Sequence, residues 1–355
     1  MKLISKQQGF LKAQVPKERW VVGSVVTGAG SVPQIKTALE WKDRLGAYKV
    51  RWGMNRMGYK VNPGLYAVGN PVPESPVLVS ANYKLTFDRV RKNFNGLNVW
   101  LLILDTRGVN VWCAAGKGTF GTKELVNRIK KTALDKVVSH RQLILPQLGA
   151  VGVSAAETAK GTGFKVSYGP VRIEDIKEYF NAGLTKTPPM RTVFFPLRER
   201  LAVVPIEIMG SRKIILGVMA LSLLFAWNKD GIALTAFTLE LGLGLGSVMT
   251  GAVLVPILLP FLPFRSFALK GLVAGGIWVA VYGRCFLGLT YLALFFNFLL
   301  FVPLCAYLAV NFTGASTYTS LSGVQKELRI ALPMVIISVI IGLAFRLLVH
   351  FRVLD

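Results

Sequence analysis

The 355-residue chain holds 42 Lys and Arg against 18 Asp and Glu, a formal net charge of +24, yet 52% of its residues are hydrophobic and its mean hydropathy is +0.49. The charge is confined: residues 1–213 carry 34 basic and 14 acidic side chains, residues 214–355 only 8 and 4. A basic, water-soluble half joined to a nearly uncharged one excludes a single soluble domain, a disulfide-stapled secreted scaffold (three Cys) and a disordered chain.

The chain starts without an apolar stretch of signal-peptide length in residues 1–8, so the first half is expected to stay in the cytoplasm. It has no basic run interleaved with aromatics, no zinc-finger spacing and no RNA-binding signature, so nucleic acid is not an expected partner. The basic surface suits an anionic membrane leaflet. Apolar runs then alternate with helical spacings. A strand is predicted at Val77–Ala81, followed by a helix face of Phe87, Val90 and Phe94, a strand at Val99–Leu104, and a helix carrying Val126, Ile129 and Ala133. Residues 143–145, a short segment at 155–160, residues 164–168, a helix marked by Ile173, Ile176 and Phe180, and a last strand at 192–195 complete the series. Continuous apolar strands joined by helices predict an α/β domain with a parallel sheet covered on both faces.

Ligands of such sheets bind beyond the carboxyl ends of the strands. That selects Ser80 and Asn82, Asp105 and Thr106, Pro146, Gln147 and Gly149, and Tyr168 and Gly169 in the loops that follow, although ordinary turns use the same residue types. The string Gly116-Lys117-Gly118-Thr119-Phe120-Gly121 matches G-x-G-x-x-G literally. Its first Gly lies at least ten residues beyond the strand end, so it fails the dinucleotide fingerprint, and it lacks the P-loop spacer. The preceding Asn110-Val111-Trp112-Cys113-Ala114-Ala115-Gly116-Lys117 is more informative. Asn110 is a good N-cap, which makes Cys113 the third residue of a short helix, with Asn110, Gly116 and Lys117 as its same-face neighbours. Sulfur there faces the positive end of the helix dipole, which favours the anion. Gly116 has no side chain, so a large flat group could lie on this face. A buried Cys among small packing residues is the alternative on these residues alone.

Residues 214–355 read as an all-α transmembrane domain of about five helices, with spans near 214–228, 238–264, 266–283, 285–311 and 330–349. Counting 231–264 as a hairpin would make six, but the Lys/Arg bias of the loops favours five, with the first half cytoplasmic and the C-terminus outside. The domain limits are then 1–199, a linker at 200–213, and 214–355. Gly242/Gly246 and Gly271/Gly275 are small-xxx-small pairs suited to close helix approach. Glu240 is either a cation or proton site or the interfacial end of its helix. Cys285 and Cys305 are soft-metal stepping stones or apolar packers. Asn311-Phe312-Thr313 is a sequon without expected use.

Residues 110–117 resemble the cap-helix signature of the corrinoid protein of the bacterial and archaeal mercury-methylating pair. The resemblance extends over roughly 35–200 through Arg51-Trp52-Gly53-Met54-Asn55-Arg56-Met57, the run from Pro63 to Pro71, Ser75-Pro76-Val77-Leu78-Val79, and Leu145-Pro146-Gln147-Leu148-Gly149-Ala150. The flanking motifs are also similar to the corrinoid iron–sulfur proteins of acetyl-CoA synthesis, and the five-span tail matches the first family's architecture. Val151 and Ala156 stand where that family has proline and histidine.

The resemblance implies a Rossmann-like domain binding a cobalamin-type corrinoid base-off, with Cys113 as lower axial ligand to cobalt. Asn110 is implied as the cap and Trp112 as the packing that locks the helix. Val111 and Lys117 complete the cofactor-binding set, with Ala114, Ala115 and Gly116 giving clearance for the macrocycle. It further implies carbanion-like methyl transfer from methyl-Co(III) to Hg(II), giving methylmercury. The implied partners are a ferredoxin-like reductant with two [4Fe–4S] clusters and a methyl-tetrahydrofolate-dependent donor enzyme. A thiolate is soft and strongly donating, which suits that transfer. The rival readings are a membrane-tethered corrinoid methyl carrier of one-carbon metabolism, and a transporter with a soluble regulatory domain.

Overall fold

The structure is a computed structural model that describes residues 18–312 and 321–354; the N-terminal stretch 1–8 and Thr313 of the sequon lie outside them. The chain divides into two compact units, one of residues 1–50 and 54–193, the other of residues 51–53 and 194–355.

The first unit is built on seven strands: β1 (Val21–Thr27), β2 (Gly30–Ile35), β3 (Gly64–Val68), β4 (Val77–Ala81), β5 (Val99–Leu104), β6 (Gln142–Leu145) and β7 (Lys165–Tyr168), in the order β1-β2-β3-β5-β4-β6-β7. The two fully apolar runs foreseen in the sequence, β4 and β5, lie at the centre and are buried at every residue. Strand residues alternate between two cores. Val77, Val79, Trp100, Leu102 and Leu104 face one, which α3 (Val111–Gly116) and α4 (Thr122–Lys131) cover. Leu78, Val99, Leu101 and Ile103 face the other, under α2 (Lys84–Asn93) and α6 (Ile176–Asn181). Helices α1 (Trp41–Arg51) and α5 (Ala155–Thr162) complete the layers.

The sheet is mixed, not wholly parallel. β5, β4, β6 and β7 run parallel, whereas β3 is antiparallel to β5 and β1 pairs with β2 as an antiparallel hairpin. The hairpin escapes a search for continuous apolar runs because β1 is nowhere fully buried and alternates half-buried with exposed residues. Residues 192–195 form no strand: Val193 and Phe194 are exposed, and Pro188, Pro189 and Pro196 bracket them. Ala133 leaves the helical path, with φ of 44°, just beyond α4.

The second unit contains α7 (Leu197–Gly210), α8 (Arg212–Phe225), a two-stranded ribbon of β8 (Trp227–Asn228) and β9 (Gly231–Ile232), α9 (Leu234–Met249), α10 (Val255–Leu258), α11 (Phe267–Cys285), α12 (Tyr291–Asn311) and α13 (Leu321–Leu354). The expected linker at 200–213 is helical, running along α7 into α8. It is held because the Arg200 guanidinium is buried and donates to the Ile257 carbonyl, while the Lys270 ammonium donates to that of Leu259. Both carbonyls lie at the end of α10, where helical partners run out. The ambiguous run 231–264 contains one helix, not a hairpin: α9 passes through a π-helical stretch at Thr250–Leu254 into α10. Three described helices, Leu234–Leu258, Tyr291–Asn311 and Gly323–Phe351, are long and apolar enough to cross a membrane. A fourth is added if α7 and α8, bent by 56°, count as one. Of the five expected spans, the first coincides with α8, which alone has 14 residues against the ~20 a span needs.

Both small-residue pairs are close-approach sites. A Cβ on Gly271 would lie 2.6 Å from Ala306 Cα, and one on Gly275 would lie 2.7 Å from Cys305 Cβ, so α11 and α12 touch through backbone. Gly242 and Gly246 receive the Tyr282 hydroxyl and the Trp278 ring. Glu240 accepts a two-pronged bond from Arg346 at 2.7 and 3.0 Å, and Arg346 also donates to Asn297 at 2.8 Å. Cys305 is buried with its thiol donating to the Ser247 carbonyl, as an apolar packer would be, and Cys285 is exposed.

Candidate functional site

The parallel strands β5-β4-β6-β7 follow the chain order second, first, third, fourth, so the topology reverses between β4 and β6. A crevice opens at such a reversal beyond the carboxyl ends. Asn82, 1% exposed, ties its first two loops together. Its Oδ1 accepts from the Thr106 amide (3.0 Å), the Thr106 hydroxyl (2.9 Å) and the Gly108 amide (3.0 Å), and its Nδ2 donates to Asp105 (3.0 Å). These bonds hold Arg107 and Gly108 at φ of 57° and 75°. The left-handed region is disfavoured for Arg107 by roughly 1 kcal/mol. The loop leads directly into α3.

The Asn110 side chain accepts the Cys113 amide at 2.9 Å, the N-cap the sequence predicts. Helix α3 packs on β4 and on the turn Gln147–Gly149, which seats it over the reversal point. Gly152 passes so close to the helix that a Cβ there would lie 3.0 Å from Ala115 Cα. Tyr168 closes the rim from the other side, its hydroxyl donating to the Val153 carbonyl at 2.7 Å; burial pushes its pKa up, which keeps it a donor. The four loops thus interlock into one edge with α3 on top.

The individual residues divide. Cys113 and Trp112 are half-buried, and Gly116 and Lys117 are exposed. Val111, Ala114 and Ala115 turn their side chains into the sheet core, so they seat the helix, whereas the expected lock, Trp112, does not enter that core. Ser80, Thr106, Gly149 and Gly169 are buried beneath the rim, while Asp105 is exposed and Pro146 and Gln147 are half-buried. Val151 is 80% exposed in the loop beyond β6, and Ala156 is exposed. The glycine-rich string is the α3–α4 connection: Gly118 takes φ of 76°, and a Cβ on Gly121 would lie 2.9 Å from the Gly118 carbonyl oxygen.

Two residues at the edge were missed from sequence. Glu124 accepts the Asp105 amide at 2.9 Å while pairing with Arg128 at 2.7 Å; its position in the first turn of a helix was an available signal. Lys186 donates to Gln147 at 2.5 Å, and burial, with Arg191 nearby, lowers its pKa. No local pattern marks it.

Among the described residues no three His, Cys, Asp or Glu converge as a metal-binding group. The site instead offers one soft donor, the Cys113 sulfur, with the exposed Gly116 and Lys117 beside it. That donor set suits a metal carried in a macrocycle with its own equatorial ligands and needing one axial ligand.

Comparison with known proteins agrees on this part of the chain. Residues 52–180 match the family described as CdhD: CO dehydrogenase/acetyl-CoA synthase delta subunit. Among curated relatives, the acetyl-CoA decarbonylase/synthase complex subunit gamma of Archaeoglobus fulgidus is 35% identical over 124 residues, 34% of this chain and 26% of that one. The subunit of the same name from Methanocaldococcus jannaschii is 41% identical over 92 residues, 25% of this chain and 19% of its own. That from Methanopyrus kandleri is 31% identical over 122 residues, 34% and 26%. The matched part therefore covers between 19% and 26% of these relatives' length.

Proposed function

We propose that this chain is a corrinoid-dependent methyl-transfer protein whose sheet unit holds the cofactor over the β4/β6 crevice, with Cys113 as lower axial ligand. The single observation that carries it is the placement of Cys113, half-buried at the third position of a capped helix seated on that crevice. Asn110 fixes the sulfur by binding its own residue's amide, and the core side chains Val111, Ala114 and Ala115 hold the helix from beneath. Asn82 fixes the loop from which the helix starts. When bound, the corrinoid would supply a methyl-bearing cobalt, Cys113 would offer that metal a soft, donating sulfur, and the electrons that restore it would come from outside the chain. The chain's three Cys offer no iron–sulfur cluster, so a ferredoxin-like partner with two [4Fe–4S] clusters fits the reductant, and a methyl-tetrahydrofolate-dependent enzyme the donor.

Two acceptors remain in view. The relatives' names support a methyl carrier of one-carbon metabolism better, because they belong to an acetyl-CoA complex. The Cys113 signature supports Hg(II), a soft electrophile for a carbanion-like methyl. The helical unit supports a multi-pass place in the cytoplasmic membrane, with the sheet unit cytoplasmic: Arg265, Lys326 and Arg329 lie at the end of the bundle where Phe195 stacks on Phe312, and Arg284 and Lys229 at the other. The test is the absorption spectrum of cobalamin-loaded protein beside Cys113→Ala, then single-turnover mixing of the methylated protein with Hg(II). A spectrum unmoved by the mutation removes the sulfur ligand. A shifted spectrum with no methylmercury leaves the carrier.

A further inference from the structure

Helix α1 is amphipathic the wrong way round. The face it turns to its own unit consists of Asp43, Gly46, Ala47 and Val50, at the i, i+3, i+4, i+7 spacing of one helix side. Only Val50 among them is a sizeable apolar residue; Asp43 enters a buried ionic cluster, and Gly46 sits beneath the Tyr59 hydroxyl, with no room for a Cβ. The large apolar residues point outward. Trp41 is 68%, Leu45 39% and Tyr48 59% exposed, and their i, i+4, i+7 spacing aligns them in one stripe. Lys42 and Lys49 border the stripe on one side and Arg44 on the other; all three are exposed and make no ion pair among the described residues.

We infer that the outer face of α1 is a membrane-contact surface, laying Trp41, Leu45 and Tyr48 at the headgroup level of an anionic bilayer. Trp and Tyr favour that depth, where an apolar body and a polar tip are both satisfied. Unpaired cations flanking an apolar stripe match a negative lipid surface in charge and geometry. A stripe of three side chains is too small to anchor a protein alone. The inference rests on the membrane reading of the helical unit, which would keep a bilayer within reach; α1 then orients the sheet unit rather than attaching it.

The test uses full-length protein in lipid nanodiscs and the emission of wild type minus Trp41→Phe, which isolates one exposed tryptophan. Brominated phosphatidylglycerol should quench that difference signal about twofold, as expected for a ring at the interface. Brominated phosphatidylcholine, high salt, or Gln at positions 42, 44 and 49 should abolish most of the quenching. The Trp278→Phe difference serves as control for the helical unit. Quenching of Trp278 without Trp41 in anionic discs overturns the inference and leaves the membrane reading standing; quenching of neither overturns both. Shielding of Trp41 only when an acidic two-cluster ferredoxin is added, in detergent as well as in nanodiscs, assigns the face to a protein and also overturns it.

Discussion

In the sheet unit, α2 is fixed by Phe87 and Phe94 beneath it and by four charges beside it. In the helical unit, α11 and α12 are fixed by glycines against backbone. The four charges are Asp43, Lys84, Asp88 and Arg91, each at most 4% exposed. Lys84 lies 3.1 Å from Asp43 and 2.5 Å from Asp88; Arg91 lies 2.7 Å from Asp43 and 2.8 Å from Asp88 and donates to the Lys36 and Ala38 carbonyls. Two cations and two anions pair within the buried set, and Arg19 reaches Asp43 from its edge at 3.8 Å. Among the described residues of the helical unit, Glu240 pairs with Arg346, whose guanidinium lies 4.0 Å from the Phe225 ring centre. Where apolar burial in water drives docking, buried charge is tolerated as a positional device. In the helical unit, docking depends on how closely backbones approach.

The contrast is broken most sharply at Arg91. Arg91→Met leaves Asp43 and Asp88 with Lys84 as their one buried cation and should destabilise the sheet unit by about 3–5 kcal/mol, read as lost hydrogen-exchange protection across α1 and α2 with the helical unit unmoved. The same cluster gives an acid limb. Burial pushes the Asp43 carboxyl up, but Lys84, the Glu40 amide and Arg91 more than reverse this, so its pKa is lower folded than unfolded. Its stabilisation is therefore complete above the ordinary carboxylate range and is lost as pH falls through the lowered folded value. A denaturation midpoint that stays flat with acidification would show the cluster contributes nothing.

Next in size, Asn82→Ala leaves the Thr106 and Gly108 donors without their acceptor, at a cost of roughly 2–4 kcal/mol. It should also loosen cobalamin binding, because α3 begins from that loop; unchanged binding in a titration would separate the loop from the site. On the helical side, Gly271→Ala meets backbone atoms that cannot rotate away and should cost ~1–3 kcal/mol, measured as easier dissociation of α11 from α12 by cross-linking in detergent. The smallest effect is Asn110→Ala, about 1 kcal/mol from the lost cap. Its cobalamin spectrum should broaden, and Asn110→Asp should restore it.

The cap at Asn110 and the position of Cys113 were legible because an N-cap acts over three residues. The two central strands were legible because full burial on both faces leaves an unbroken apolar run. The glycine pairs were legible for the same local reason, the small residues falling one turn apart. Asn82 was visible only as a polar residue after a strand; its partners lie 24 and 26 residues on. The hairpin β1–β2 was lost because a half-wet edge carries no continuous apolar signal. The partner of Glu240 was not legible because it lies 106 residues away.

The sequence by itself determined the division into a basic half and an apolar half, the parallel strands at the sheet centre and the cap that presents one sulfur, since composition, burial period and capping are local properties. Only the tertiary structure decided which buried charges neutralise one another, which face of α1 is left outside, and that α3 rests where the strand order reverses. Those depend on which distant segments the fold brings together, and pairing across that distance leaves no periodic mark in the chain.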